Sequence, residues 1–166
     1  MSQIDLHADV DQTERRMSKM LDRSEIVELI CRSLVCIDEG RFTDLQAIYT
    51  EDASASAPGG QSQGRDAIIA QVSRNHVPEI RSQHLVGDVV VDLDDDEAQA
   101  RANVLAAFAP AASDDVSPLA PPAQCTFGTV YRYAAVRTEE GWRLSSVEIT
   151  PRWVTGSTDG LVRQAD

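Results

Sequence analysis

The spacing of apolar residues changes once along this chain, and that change constrains the fold more than any other feature of the sequence. Up to Val72 apolar residues recur at three- and four-residue steps, and from Ser82 onward they alternate with polar ones. Steps of three and four line one face of a helix, whereas alternation lines one face of a strand. Helices first and strands afterwards is the order of an α+β domain, because a parallel sheet needs the two to alternate.

Ile26, Leu29, Ile30, Ser33, Leu34 and Ile37 mark the buried face of a first amphipathic helix, with Asp22 and Glu25 at capping-box spacing near its start. Asp38 lies four residues after Leu34 and eight after Ile30, in line with that face, so its carboxylate is expected to point inward. Gly40 stops the helix. Phe42, Leu45, Ile48 and Tyr49 predict a second, shorter helix over 43–50, and Ile68, Ile69 and Val72 a third that ends before Pro78, with a short strand from Ala53 to Ala57 between them. Strands are predicted over 82–93, 97–109, 124–138 and 142–154, joined by turns at Asp94-Asp95-Asp96 and Glu139-Glu140-Gly141. The stretch from Pro110 to Ala123 holds four prolines and reads as a loop. A curved antiparallel sheet wrapped on three N-terminal helices makes a cone with a pocket at its open end. The small face Ala98, Ala100, Ala102 and Ala106 admits close helix packing, and Phe108, Tyr131 and Trp142 fill the wider part.

With 166 residues, the chain fits one domain: a polar leader over 1–20, mobile or helical only against a partner, a body over 21–156 and a polar tail over 157–166. The leader lacks the basic start and apolar run of an export signal, and no stretch approaches the roughly 18 apolar residues that cross a bilayer. A net charge of -12 argues against nucleic acid as a partner. Cys31, Cys36 and Cys125 are odd in number and lack metal-ligand spacing, so free thiols in a reducing cytoplasm are expected, without a metal. Lys19, the one lysine, lies in the leader, which leaves the body without a Schiff-base amine.

His84 is the histidine best placed for chemistry. Val86, Asp88 and Val90 share its face, so the ring could project into a cavity. An imidazole oriented by a carboxylate can move a proton at neutral pH, although a core histidine held by one backbone hydrogen bond would fit the same spacing. Tyr49, Asn103 and Tyr131 could offer a substrate hydrogen bond or simply pack, and Phe108 an apolar wall. Gly60-Gln61-Ser62-Gln63-Gly64 matches the nucleophile-elbow pattern but lacks the parallel sheet that elbow needs, so it reads as a flexible glycine loop. The acidic run from Asp92 to Glu97 reads as a solvated turn, lacking the glycine and distal glutamate of a calcium loop. His76 sits at a helix end, where a cation would suit the exposed carbonyls, and carries no assigned chemistry.

Ile37-Asp38-Glu39-Gly40-Arg41-Phe42, Tyr49-Thr50-Glu51-Asp52-Ala53, Gly64-Arg65-Asp66-Ala67-Ile68, Gln83-His84 and Pro151-Arg152-Trp153, in that order and spacing, resemble the SnoaL-like family of the nuclear transport factor two-like superfamily, in particular its scytalone dehydratase-like branch. The resemblance runs from about Leu21 to Gly156. It implies the cone fold and a pocket in which Asp38 and His84 form a proton-transfer dyad. It also has departures. Phe108 stands where the dehydratase carries a second catalytic histidine, and Ile37 and Ala57 stand for its two pocket tyrosines. The water that those groups hold against a substrate carbonyl has no counterpart, so the scytalone reaction itself is not expected.

These readings lead to a cofactor-independent lyase, cyclase or isomerase acting on an apolar, oxygenated small molecule, such as a polyketide or terpenoid intermediate. Its expected partners are that substrate and other copies of the chain, as a homodimer or homotrimer, with no nucleic acid and no membrane. The rival class is a non-catalytic ligand-binding protein, or an assembly subunit resembling the β-subunits of ring-hydroxylating dioxygenases.

Overall fold

The structure, a computed structural model, describes residues 3–76, 78–111 and 121–158. A single helix α1 (Gln3–Asp38) leads through a 3-10 turn (Phe42–Ala47) into β1 (Tyr49–Ala57), β2 (Gly60–Gln63) and α2 (Arg65–Asn75). The long strands β3 (Ile80–Asp94), β4 (Glu97–Pro110), β5 (Cys125–Thr138) and β6 (Gly141–Gly156) follow. They form one curved, unclosed six-stranded sheet of order β2-β1-β6-β5-β4-β3.

The core follows from the two periodicities. Ile26, Ile30 and Leu34 on α1 share one buried cluster with Ala98, Ala100, Ala102 and Val104 of β4 and with Tyr133, Trp142 and Leu144. Each fully buried aliphatic side chain contributes about 1.5–3 kcal/mol relative to exposure.

Several sequence expectations change. Asp22 does not cap a helix: α1 is already under way, and the carboxylate instead accepts hydrogen bonds from Trp142 Nε1 at 3.1 Å and from Arg137 at 2.7 Å. The leader from Gln3 onward is therefore the N-terminal part of α1, and its residues from Asp9 to Leu21 are exposed. The second helix shrinks to the 3-10 turn, because Tyr49 and Thr50 are taken up by β1. The glycine loop becomes β2, which pairs antiparallel with β1 (Ser54 with Gln63, Ala57 with Gly60). The sheet is mixed, since β1 runs parallel to β6. The β3–β4 and β5–β6 hairpins turn at the expected places, with Asp95 and Gly141 at positive φ. Residues 112–120 of the proline-rich stretch and 159–166 of the tail lie outside the described residues.

Candidate active site

Asp38 is the last residue of α1, and the way that helix ends sets its position. Gly40 takes φ +68 and donates its N–H to Ile37, while Arg41 N–H reaches back to the Cys36 carbonyl. This Schellman pairing needs a left-handed residue, which glycine adopts without a Cβ penalty. The guanidinium of Arg41 then ties Glu39 and Asp44 together, fixing the exit of the chain. Asp38 is thereby left facing β3.

β3 is an edge strand, and an edge strand presents backbone N–H groups without a strand partner. The His84 N–H is donated to Asp38 Oδ2 at 2.7 Å. Asp38 Oδ1 accepts the Ser82 hydroxyl at 2.7 Å and lies 2.6 Å from His84 Nδ1. Ser82 and His84 are two apart on one strand, so one carboxylate can gather both. Burial, and the carbonyl end of the helix, would by themselves raise the pKa of this acid. The His84 ring and its charge, the His84 N–H and the Ser82 hydroxyl outweigh burial and hold it below the ordinary carboxylate value. The side chains are 18% exposed for Asp38 and 5% for His84, so water reaches the pair only narrowly.

With its Nδ1 engaged by a carboxylate, the neutral imidazole carries its proton there and presents a lone pair at Nε2. His84 Nε2 has no hydrogen-bond partner among the described residues. The Phe108 ring stands edge-on to His84 with centroids 6.3 Å apart, and Phe127 stacks edge-on behind it at 5.8 Å. A cleft of about 570 Å³ opens here, lined by Val35, Asp38, Ser82, His84, Phe108 and Pro121 among others. That volume suits a small organic molecule.

The other sequence-predicted site residues divide. Phe108 lines the cleft. Tyr131 and Tyr49 lie deeper, both buried. Burial pushes the Tyr49 phenol up to about 12, partly opposed by the Ser33 hydroxyl, and raises Tyr131 further, helped by the charges of Tyr49 and Asp38. Both stay neutral near pH 7 and can only donate or accept hydrogen bonds. Asn103 does not join them. It belongs to the odd-numbered face of β4, opposite the buried Ala102 and Val104, and its amide donates to Asp88 at the surface. The uninterrupted alternation expected beyond His84 also fails. A bulge between Gly87 and Val90, with Asp88 at φ +49, resets the phase, so Val91 is buried while Asp88 and Val90 are exposed.

Sequence reasoning missed Ser82, although its place on the His84 face was open to the same alternation argument. It also set His76 aside. The expected carbonyl contact exists, since His76 Nδ1 is 2.9 Å from the Val72 carbonyl. The ring is not a cation near neutral pH, however, because burial lowers its pKa below 6.5.

Residues 18–148 match the model of the SnoaL-like domain. The chain belongs to the SnoaL-like family. No curated protein sequence matches it significantly. Among solved structures, the Kfla4162 protein from Kribbella flavida is 26% identical, with a TM-score of 0.70 over 82% of this chain and 95% of that one. A protein from Novosphingobium aromaticivorans, provisionally described as a scytalone dehydratase, is 20% identical, with a TM-score of 0.71 over 93% of this chain and 95% of its own. A hexachlorocyclohexane dehydrochlorinase, LinA type 2, is 15% identical, with a TM-score of 0.71 over 91% and 97%. At such identities the last two show a shared fold alone.

Proposed function

We propose that this SnoaL-like protein is a cofactor-independent lyase or isomerase in which His84 moves a proton and Asp38 holds and charges-balances the ring. The observation that supports the reading is the 2.6 Å contact between His84 Nδ1 and Asp38 Oδ1, together with a second ring nitrogen left for a ligand. His84 Nε2 takes a proton from a substrate carbon made acidic by a neighbouring oxygen function. The C–H electron pair forms a new C=C bond, and the imidazolium is stabilised by the carboxylate beside it. In an elimination the adjacent C–O bond breaks and the departing oxygen takes the proton back from His84, giving water. In an isomerisation or cyclisation the proton returns to carbon or oxygen elsewhere in the same molecule.

The substrate in this reading is apolar and oxygenated, of the polyketide or terpenoid kind, with Val35, Phe108 and Pro121 of the cleft against its apolar part. Phe108 and Phe127 exclude water, which strengthens the dyad's electrostatics, and Tyr131 supplies a neutral phenol deeper in the body. Metabolite profiling of a strain lacking the protein would reveal the accumulated substrate. With that compound, His84→Gln is expected to lower kcat/KM by about 10²–10⁴-fold, the range general-base catalysis supplies. Unchanged turnover in a folded His84→Gln protein would overturn the role and favour the non-catalytic binding class.

A further inference from the structure

Five aromatic rings are linked by successive ring contacts that run through His84. Phe42 and His76 have centroids 6.2 Å apart, His76 and His84 6.5 Å, His84 and Phe108 6.3 Å, and Phe108 and Phe127 5.8 Å. His84 therefore has both a phenylalanine and a second imidazole as ring neighbours. That second imidazole comes from the end of α2, an element that contributes nothing else to the site.

Its tautomer is fixed by the same logic as that of His84. Nδ1 lies 2.9 Å from the Val72 carbonyl, an acceptor only, so Nδ1 must carry the hydrogen. The lone pair of the neutral ring is then at Nε2, which has no hydrogen-bond partner among the described residues. Burial is the main reason the ring stays uncharged, and the neighbouring His84 works in the same direction, while the Val72 carbonyl and Asp38 oppose. The two ring centroids lie 6.5 Å apart, each ring with its Nδ1 committed elsewhere and its Nε2 without a hydrogen-bond partner among the described residues.

We propose that His76 is a specificity-determining residue of this site, whose Nε2 accepts a hydrogen bond from a hydroxyl group of the substrate while His84 acts on a carbon nearby. This rests on the reading of His84 as the base, and it narrows the substrate class to compounds that carry a free hydroxyl rather than only ethers or carbonyls. A neutral imidazole locked in this tautomer rejects an ether at that position, because the ether offers no hydrogen and brings a second oxygen lone pair against the ring nitrogen.

The test uses 2-naphthol and 2-methoxynaphthalene, which differ only in that hydrogen and its methyl replacement, with side-chain ¹⁵N NMR of the intact protein. Naphthol is expected to move the Nε2 resonances of both His76 and His84, and to bind about tenfold more tightly than the ether. In His76→Phe, which keeps an aromatic ring against Phe42, the ratio is expected to fall to about one; the wild-type resonances keep the test valid should that variant fold poorly. Movement at His84 alone, or a ratio that survives His76→Phe and disappears in His84→Gln, would overturn the assignment to His76 and leave the base intact. No movement at either ring would overturn both readings.

Discussion

Asp22 and Asp38 sit on the same helix, both reach from α1 to the sheet, and both are held below the ordinary carboxylate pKa, yet their partners differ in kind. At Asp22 burial is outweighed by Arg137 and the Trp142 indole, with the Arg137 guanidinium also stacked 4.6 Å over the indole ring. At Asp38 the outweighing partners are the backbone N–H and ring Nδ1 of His84 and the Ser82 hydroxyl. An arginine never gives up its proton near neutrality, so the Asp22 cluster can only clasp α1 to the turn of the β5–β6 hairpin. An imidazole can lose and regain one. Two carboxylates placed alike in the fold thus differ in what they can do because of the proton chemistry opposite them.

Asp38→Asn is the sharpest way to break that comparison. It keeps an oxygen for the Ser82 hydroxyl or the His84 N–H but removes the charge that fixes the His84 tautomer. Turnover is expected to fall by about 10³–10⁴-fold, as when a buried carboxylate behind a catalytic histidine is neutralised, with circular dichroism unchanged. Asp22→Ala should show the opposite profile. Losing the clasp leaves the Trp142 N–H buried without a partner, and Arg137, partly in water, softens the loss; about 2 kcal/mol of stability is expected to go. For a domain of this size that is a fall of about 4–8 °C in Tm, with kcat retained. A stable Asp22→Ala protein with impaired kcat would show that the far end of α1 governs the site.

The two acids should agree in their pH response. Each has a folded-state pKa below its unfolded value, which is near 3.8, so each contributes stability that is fully present above that value and is lost as pH falls through the folded-state pKa. Urea midpoints of the wild type are therefore expected to drop steeply below pH 4. In Asp22→Asn and in Asp38→Asn the midpoint should be lower at pH 7 and should fall less over the acid range. An unaltered acid slope in either variant would mean that its carboxylate is no better held in the folded chain than in the unfolded one.

What the sequence revealed follows the same division. The stripe of Ile26, Ile30 and Leu34 extended naturally to Asp38, and a two-residue alternation put His84 on the inner face, so the contact between Asp38 and His84 was legible from periodicity and the resemblance together. Asn103 was misplaced because a polar residue on a long strand gives no sign of which face is inward until the register with β5 is known; Ala102 opposite Tyr131 and Val104 opposite Thr129 settle it. The β3 bulge was invisible, since Gly87 followed by Asp88 suits an unbroken strand as well as a kinked one. Asp22 had the spacing of a cap, and only the tertiary contact with Trp142, 120 residues away, assigns it another partner. His76 escaped notice because what brings it beside His84 is the docking of α2, which no local pattern encodes.

Ser82 gives the smallest and most discriminating change. Its hydroxyl donates to the same Asp38 oxygen that faces the His84 ring, so its one hydroxyl hydrogen is committed to setting the tilt of the carboxylate. A hydroxyl hydrogen bond to an ionised carboxylate contributes about 1.5–3 kcal/mol in all, and if about 1 kcal/mol of it is felt in the transition state the rate changes roughly fivefold. Ser82→Ala is accordingly expected to lower kcat about fivefold and leave KM where it was, because the lost bond orients the base and not the substrate. Ser82→Thr, which restores a hydroxyl on the same strand position, should recover most of the loss. A rise in KM with kcat unchanged would place the hydroxyl against the substrate instead, and a loss as deep as that of Asp38→Asn would mean that carboxylate and hydroxyl act as one unit, with the Asp38 oxygen misdirected whenever Ser82 lets go.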